Sequence, residues 1–331
     1  MKQELRRAKI AGIGSFVPEN VMTNIDLEGI VDTDAEWIIT RTGIEERRIV
    51  EEEVTTSDLA YQAATAALQD ADLDVEDLDL ILVATSTPDY LGFPSTACIL
   101  QDKLGAEGIP AFDLAAACTG FIYGISVATQ YIETGAYDNI LVVGAETFSK
   151  IIDWEDRGTC ILFGDGAGAV VLQPTDSAGI LSNSLGADGS KGEVLKIPGG
   201  GSKRPFSQGV LEERAHYVEM DGNPVFKFAV RILGKAAKEA LQQVGLSSED
   251  IDYLIPHQAN IRIIDAARKR LDLTEEQIYV NLDRYGNTSA ASVPLALDEA
   301  VREGKIKEGD IIVLVGFGAG LTWGATVIEW S

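Results

Sequence analysis

The sequence predicts an α/β fold made of two copies of one unit, and three observations point there. Short β-branched runs alternate along the chain with longer amphipathic stretches, the pattern of buried strands laid between helices. The segment ALQDADLDVEDLDLILVA, from Ala67, aligns without gaps on ALQQVGLSSEDIDYLIPH, from Ala240, an offset of 240 − 67 = 173. ILVVG from Ile140 returns as IVLVG from Ile312 at nearly the same offset, 312 − 140 = 172. Two matches at one spacing read as a duplicated unit with pseudo-twofold symmetry, residues 1–175 forming the first half and 176–331 the second. Sites in such folds sit at strand ends where the halves meet.

Taken in order, strands are expected at 78–86 (LDLILVATS), 139–147 (NILVVGAET), 160–172 (CILFGDGAGAVVL), 251–257 (IDYLIPH), 310–318 (DIIVLVGFG) and 322–330 (TWGATVIEW). Helical periodicity marks 57–71, 119–135, 227–245 and 292–304. The Gly-, Ser- and Lys-rich stretch from Ser184 to Pro205 reads as a surface loop. GIGSF at Gly12 lacks the third glycine of a dinucleotide-binding turn, and a strand rather than a helix follows GFGAGLTWG (316–324).

Composition narrows the function classes. The chain has 331 residues, 46% of them hydrophobic, enough for a substantial core. Its 52 acidic and 27 basic residues give a formal charge of −25, which opposes nonspecific nucleic-acid binding. An acidic partner therefore needs a local basic patch to dock. No apolar run approaches the roughly 20 residues that cross a bilayer, and the N-terminus lacks a signal-peptide core, so a cytoplasmic protein without membrane association is expected. Cys98, Cys118 and Cys160 form no CxxC spacing, which predicts reduced thiols and no metal site.

Three segments could carry chemistry. In AFDLAAACTGFIYG an apolar strand runs through small residues into Cys118 and then directly into a helical pattern. A thiol at a strand-to-helix turn meets free amides and the helix dipole, which lower its pKa and can hold an oxyanion. Taken alone, Cys118 is either a nucleophile or a core cysteine, whereas Cys98 and Cys160, flanked by apolar residues, read as buried and structural. Only two histidines are present. His257, in IPHQANIRI, ends the second-half counterpart of the strand closing at Ala84 and Thr85, so it should emerge at the same rim. His216 lies in a charged, unpatterned stretch and reads as structural. Asn287, in DRYGNTSAASVP, precedes a Ser-rich turn into a helix; by itself it reads as a helix N-cap, but it occupies a turn analogous to that of Cys118.

These pieces resemble the thiolase-fold condensing enzymes, and among them the β-ketoacyl-acyl-carrier-protein synthase III family. The resemblance rests on TRTGIEERRI (40–49), AAACTGF, DWEDRGTCILFGDGAGA (153–169), PHQANIRI (256–263), RYGNTSAASVPLALDEA (284–300) and GFGAGLTWG, in family order from end to end. It implies a layered α/β/α/β/α fold with two mixed five-stranded sheets. It also implies an acyltransferase: Cys118 takes an acyl group from a coenzyme A thioester, and the amides of Cys118 and Gly320 hold the oxyanion. His257 and Asn287 donate to the thioester carbonyl of malonyl on its carrier protein, favouring loss of carbon dioxide and an enolate that attacks the acyl-cysteine.

Further positions follow from the same resemblance: Trp37, Arg41, Arg157 and Asn223 contact coenzyme A, which is a substrate, so no cofactor is implied. Phe93 reaches across a homodimer into the partner's acyl pocket, and Lys227, Arg262, Lys269 and Arg270 dock the carrier protein. Ala319 and Leu321 replace glycine and phenylalanine in the last glycine turn, which bears on acyl-pocket shape. Elongating synthases carry a second histidine in the third position, thiolases a second cysteine as base, and hydroxymethylglutaryl synthases a glutamate near the thiol. Starter enzymes of polyketide pathways share Cys-His-Asn and remain the alternative, and a non-catalytic acyl-binding protein would lack an active thiol.

Overall fold

The computed structural model describes residues 6–331. Its layers follow from which face of each strand is apolar. The first sheet contains β1 (Arg7–Phe16), β2 (Leu80–Ala84), β3 (Ala111–Leu114), β4 (Ile140–Thr147) and β5 (Asp165–Thr175), in the order β1-β5-β4-β2-β3. The second contains β6 (Ile180–Ala187), β7 (Tyr253–Pro256), β8 (Ile311–Gly318) and β9 (Thr322–Glu329), in the order β6-β9-β8-β7. Both read antiparallel, antiparallel, parallel along those orders. The duplication seen as a repeat is thus also a repeat of topology.

A five-stranded second sheet is corrected to four strands. Where a counterpart of β3 belongs, Ile278 makes a single parallel bridge to Leu254. The ladder stops because the Gln258 side chain takes the next places, donating to Tyr279 O (3.2 Å) and accepting from Asn281 N (3.1 Å).

Seven longer helices fill the other layers: α1 (Ala35–Thr42), α2 (Thr56–Asp70), α3 (Thr96–Leu104), α4 (Gly120–Glu133), α5 (Gly222–Gln243), α6 (Ile261–Leu271) and α7 (Ser292–Arg302). β4 turns Ile140 and Val142 inward, and β8 turns Ile312 and Leu314 inward, to enclose Phe121, Ile122, Ile125 and Ile132 of α4 and Val293 and Leu297 of α7. The opposite faces, Leu141 and Val143 or Val313 and Val315, carry α2 and α3 on one side and α5 and α6 on the other. Period-two strands covered on both faces therefore explain the near-continuous apolar runs. Each such side chain contributes about 1.5–3 kcal/mol on burial, so the α4–α7 layer is the main cohesive element between the sheets. No described helix is long and apolar enough to cross a membrane.

The strand expected at 160–172 begins only at Asp165. Residues before it form a short helix, Arg157–Cys160, capped by Asp156, and a turn pinned by the buried Arg47, which donates to Ile161 O at 2.9 Å. The loop expected from Ser184 is partly strand, because β6 continues to Ala187 as the edge partner of β9. β1, α1, α3 and α6 stand beyond the elements expected from the sequence, although α6 is strongly amphipathic and turns Ile263, Ile264, Ala267 and Leu271 inward. In β1, Gly12 and Gly14 lie hard against the backbone of α2 at Ala67 and Ala71; close packing is the reason for GIG.

Replacing Gly14 with Ala should force β1 off α2 and cost about 1–3 kcal/mol, read as a lower denaturation midpoint. Gly189, whose Cβ would meet open space, serves as control, and its Ala variant should stay within about 0.5 kcal/mol of the parent.

Candidate active site

The strand-to-helix turn at Cys118 is built from a short 3-10 turn, Ala117–Thr119, leading into α4. Ala117 adopts φ 47°, a left-handed conformation rare for a residue with a side chain. The turn rests on β8, where a Cβ at Gly318 would come within 2.8 Å of Cys118 N. The Cys118 side chain is buried at 7% exposure. The helix start was expected to lower its thiol; burial instead pushes it up to about 12, with the Glu146 carboxylate adding to the rise and the Ser289 hydroxyl and its own amide opposing it. Desolvation of a thiolate outweighs the helix dipole here, so the resting group is a neutral thiol.

His257 follows β7, and its imidazole is buried, which pulls its pKa down to about 3 and keeps it neutral. Its Nδ1 lies 2.6 Å from Ser292 Oγ, the first residue of α7. Ser292 Oγ also accepts from Gln258 N at 3.4 Å. Among the described residues Nε2 has no hydrogen-bond partner, which makes it the ring nitrogen available to the cavity.

Asn287 is tied to the other half of the molecule: its N donates to Leu162 O at 2.8 Å and its O accepts from Gly164 N at 3.1 Å. Its Oδ1 accepts from Ser289 N at 2.9 Å, which fixes the amide orientation and leaves Nδ2 as a donor. Asn287 is not the helix N-cap that its residue type suggested, since Thr288 and Ala291 hold those positions; its side chain closes a local turn onto Ser289 N and still has an amide to spare.

Cys118, His257 and Asn287 line one cavity of about 450 Å³, together with Phe317, Gly318, Trp37, Arg41 and Asn223. A small apolar pocket of about 110 Å³ adjoins it at Cys118, walled by Phe148, Phe163, Ile151, Val218 and Ala319. A larger surface hollow of about 870 Å³, beyond α6, contains none of the three.

The mouth of the site is set by α1 and α6. Gly43 ends α1 at φ 80° and sits against Ile261, and Asn260 Nδ2 donates to Arg41 O at 3.0 Å. This seats Trp37 and Arg41 beside Arg262, which also lines the cavity. The Arg41 and Arg157 guanidinium carbons lie 4.7 and 5.1 Å from the Trp37 ring centroid. Arg157 itself does not line the cavity, but its neighbour Gly158 does.

Other expected positions separate. Gly320 lines neither space; its carbonyl lies near Gly192, while Gly318 and Ala319 border Cys118. Of the four cations expected to dock the carrier protein, Lys227 and Arg262 are exposed, and Arg262 lines the cavity. The Arg270 stem packs on Gly234, and Lys269 pairs with Asp265 at 2.6 Å and lines the larger hollow. Phe93 is 88% exposed in a loop with Tyr90 and Leu91. His216 packs on Tyr217, 4.0 Å between centroids, away from both spaces. Cys160 is buried as expected, but Cys98 is exposed: α3 turns Ala97 and Leu100 inward and Cys98 out. Reading residues alone missed Ser289, Ser292 and Glu146, whose only signal was a carboxylate ending an apolar strand.

This arrangement has close relatives. A β-ketoacyl-[acyl-carrier-protein] synthase III from Caldanaerobacter subterraneus is 59% identical over 98% of this chain and 98% of its own. The chain belongs to that family. Family models described as 3-oxoacyl-[acyl-carrier-protein] synthase III match residues 112–189, and its C-terminal part 241–330. The synthase III structure from Aquifex aeolicus is 48% identical, with a TM-score of 0.91 and coverage of 98% of this chain and 100% of that one. A priming β-ketosynthase from the R1128 polyketide pathway superposes as well, TM-score 0.91 over 100% and 98%, but at 36% identity. The synthase III family is one of thiolase-fold condensing acyltransferases, and the present fold is theirs.

The seat of Cys118 on Gly318 is directly testable. Gly318→Ala should displace the Cys118 turn and slow acyl loading by about 10²-fold, measured by single-turnover mass spectrometry. Loading at the parent rate would show that the turn tolerates the added carbon.

Proposed function

We propose that this chain opens fatty-acid synthesis by condensing an acyl-coenzyme A starter with malonyl-acyl-carrier protein to give 3-ketoacyl-acyl-carrier protein. The observation that carries the reading is the shared cavity of Cys118, His257 and Asn287, with the imidazole neutral and the amide orientation fixed. The stronger likeness to synthase III than to the polyketide ketosynthase favours primary fatty-acid synthesis over a polyketide starter role.

In the first half-reaction the Cys118 sulfur attacks the thioester carbonyl carbon and the coenzyme A thiol leaves. The oxyanion is held by the amides of Cys118 and of the turn after β8. Ala319 rather than Gly320 borders the thiol, so the second amide is assigned to Ala319. In the second half-reaction His257 Nε2 and Asn287 Nδ2 donate to the malonyl thioester carbonyl, carbon dioxide leaves, and the enolate carbon attacks the acyl-cysteine, freeing the sulfur. Neutral donors suit this step, because an imidazolium would hand a proton to the enolate. His257 remains unprotonated at every pH well above about 3.

Coenzyme A lies along Trp37, Arg41, Arg157 and Asn223, and the chemistry calls for no resident cofactor. Lys227 and Arg262, with Arg270 and Lys269 further out, receive the acidic carrier protein, where cations speed encounter. A homodimer would cover Phe93, and a cytoplasmic setting fits the substrates. Residues 1–175 then form the half with the nucleophile and 176–331 the half with its two donors.

Replacing Cys118 with Ala should abolish acyl loading. Asn287→Ala should leave loading within about twofold yet slow malonyl decarboxylation by about 10²–10³-fold; equal loss of both half-reactions would remove Asn287 from its role. Imidazole NMR of His257 should show the neutral ring from pH 8 down to 5, and protonation within that window would contradict the neutral-donor mechanism.

A further inference from the structure

Glu146 ends β4 with its carboxyl group fully buried, 0% exposed, and condensation as described makes no use of it. Oε1 accepts from Ser289 Oγ (2.9 Å), Ser86 N (3.2 Å) and, more weakly, Ala290 N (3.5 Å). Oε2 accepts from Thr87 Oγ1 (2.7 Å), Ser86 N (3.0 Å) and Thr85 Oγ1 (3.3 Å). All of these donors are neutral. Burial outweighs them and raises the carboxyl to about 7, and the titratable group coupled to it is the Cys118 thiol.

Ser289 is the link between the two. Its hydroxyl donates to Glu146 Oε1 and sits beside the Cys118 thiol, on a turn packed against the Cys118 turn, and its N–H holds Asn287 Oδ1. Its φ of 49° is left-handed, a strained conformation that persists only where the surroundings over-determine it. The neutral, buried thiol needs a proton acceptor before it can attack. In His257, Nδ1 is occupied by the Ser292 hydroxyl, and the other ring nitrogen is called on as a donor in the second half-reaction.

We infer that Glu146 is a positioning residue that draws the Cys118 proton through the Ser289 hydroxyl during acyl transfer. The inference rests on the acyl-enzyme reading above. As sulfur bonds to the thioester carbon, its S–H bond breaks and the proton passes to Ser289 Oγ, while the Ser289 proton passes to Glu146 Oε1. One negative charge moves from carboxylate to sulfur, so the two never carry charge together. When the carbon–sulfur bond to coenzyme A breaks, the path reversed returns the proton to the departing sulfur. Glu146 is again a carboxylate and no outside reactant is consumed. The same carboxylate holds Ser289, and through it Asn287, in place for the second half-reaction.

The test is single-turnover acyl loading from pH 5.5 to 9, read by quenched-flow mass spectrometry with straight and branched acyl-coenzyme A esters of two to eight carbons. The parent rate should rise through a step near pH 7 and level off above it, because only the ionised carboxylate can accept. Glu146→Gln and Ser289→Ala, each checked for folding by thermal melt, should load about 10²-fold more slowly at pH 8 and lose that step. Ser289→Ala keeps the test decisive should Glu146→Gln fail to fold, and Glu146→Asp should restore part of the rate with the step still present. A folded variant with the parent rate and profile, or a parent with no step near pH 7, overturns the proton path while leaving the acyl-enzyme intact. A parent that forms no adduct with any ester refutes the acyl-enzyme reading and the proton path with it.

Discussion

Two buried helix starts, each seated on a single glycine of a central strand, hold this molecule's site together. In the second sheet Gly318 lets the Cys118 turn descend until a single added carbon would touch its amide. In the first sheet Gly144 lies against the carbonyl of Ala290, at the start of the turn into α7. The turns are symmetry mates: left-handed Ala117 and Ser289 are separated by 289 − 117 = 172 residues, the spacing of the internal repeat. One copy carries Cys118, and the other carries the serine beside it. Packing two helix N-termini back to back between two sheets brings chemistry from both halves within hydrogen-bonding reach.

That burial decides the electrostatics. A thiol in water at a helix start would ionise more readily, yet here burial raises it, lowers His257 and raises Glu146. Each group is thereby held in its neutral form or close to the point of becoming neutral. Such a site can generate one negative charge at a time and aim preset dipoles at it, which is where enclosed sites gain most over water. The exterior is arranged the opposite way. With 52 acidic residues against 27 basic ones, the cations around Trp37 and Arg262 are conspicuous, and they gather at the cavity that Cys118 lines.

Much of this was legible in the chain. The duplication shows because ungapped repeats preserve strand spacing, and the triad shows because two histidines leave few choices and Cys118 interrupts a strand-to-helix junction. What was hidden depends on packing. Glu146 looks like the polar end of an apolar run, and only the fold turns it inward toward Ser289. Ser289 and Ser292 disappear in a Ser-rich turn, since their roles depend on which face of α7's first turn meets His257 or Cys118. The glycine turn after β8 offers three consecutive residues, and the hairpin register alone determines that Ala319, not Gly320, borders the thiol. Cys98 follows helical periodicity outward although its neighbours are apolar, and the second sheet loses a fifth strand to one glutamine side chain.

The account turns on whether the buried thiol, rather than the exposed one, becomes acylated. Intact-protein mass spectrometry after incubation with acyl-coenzyme A, followed by peptide mapping, decides it. One acyl group carried on the peptide containing Cys118, with Cys98 unmodified, is the result required. Acyl groups found on Cys98, or a protein unchanged in mass, would contradict it.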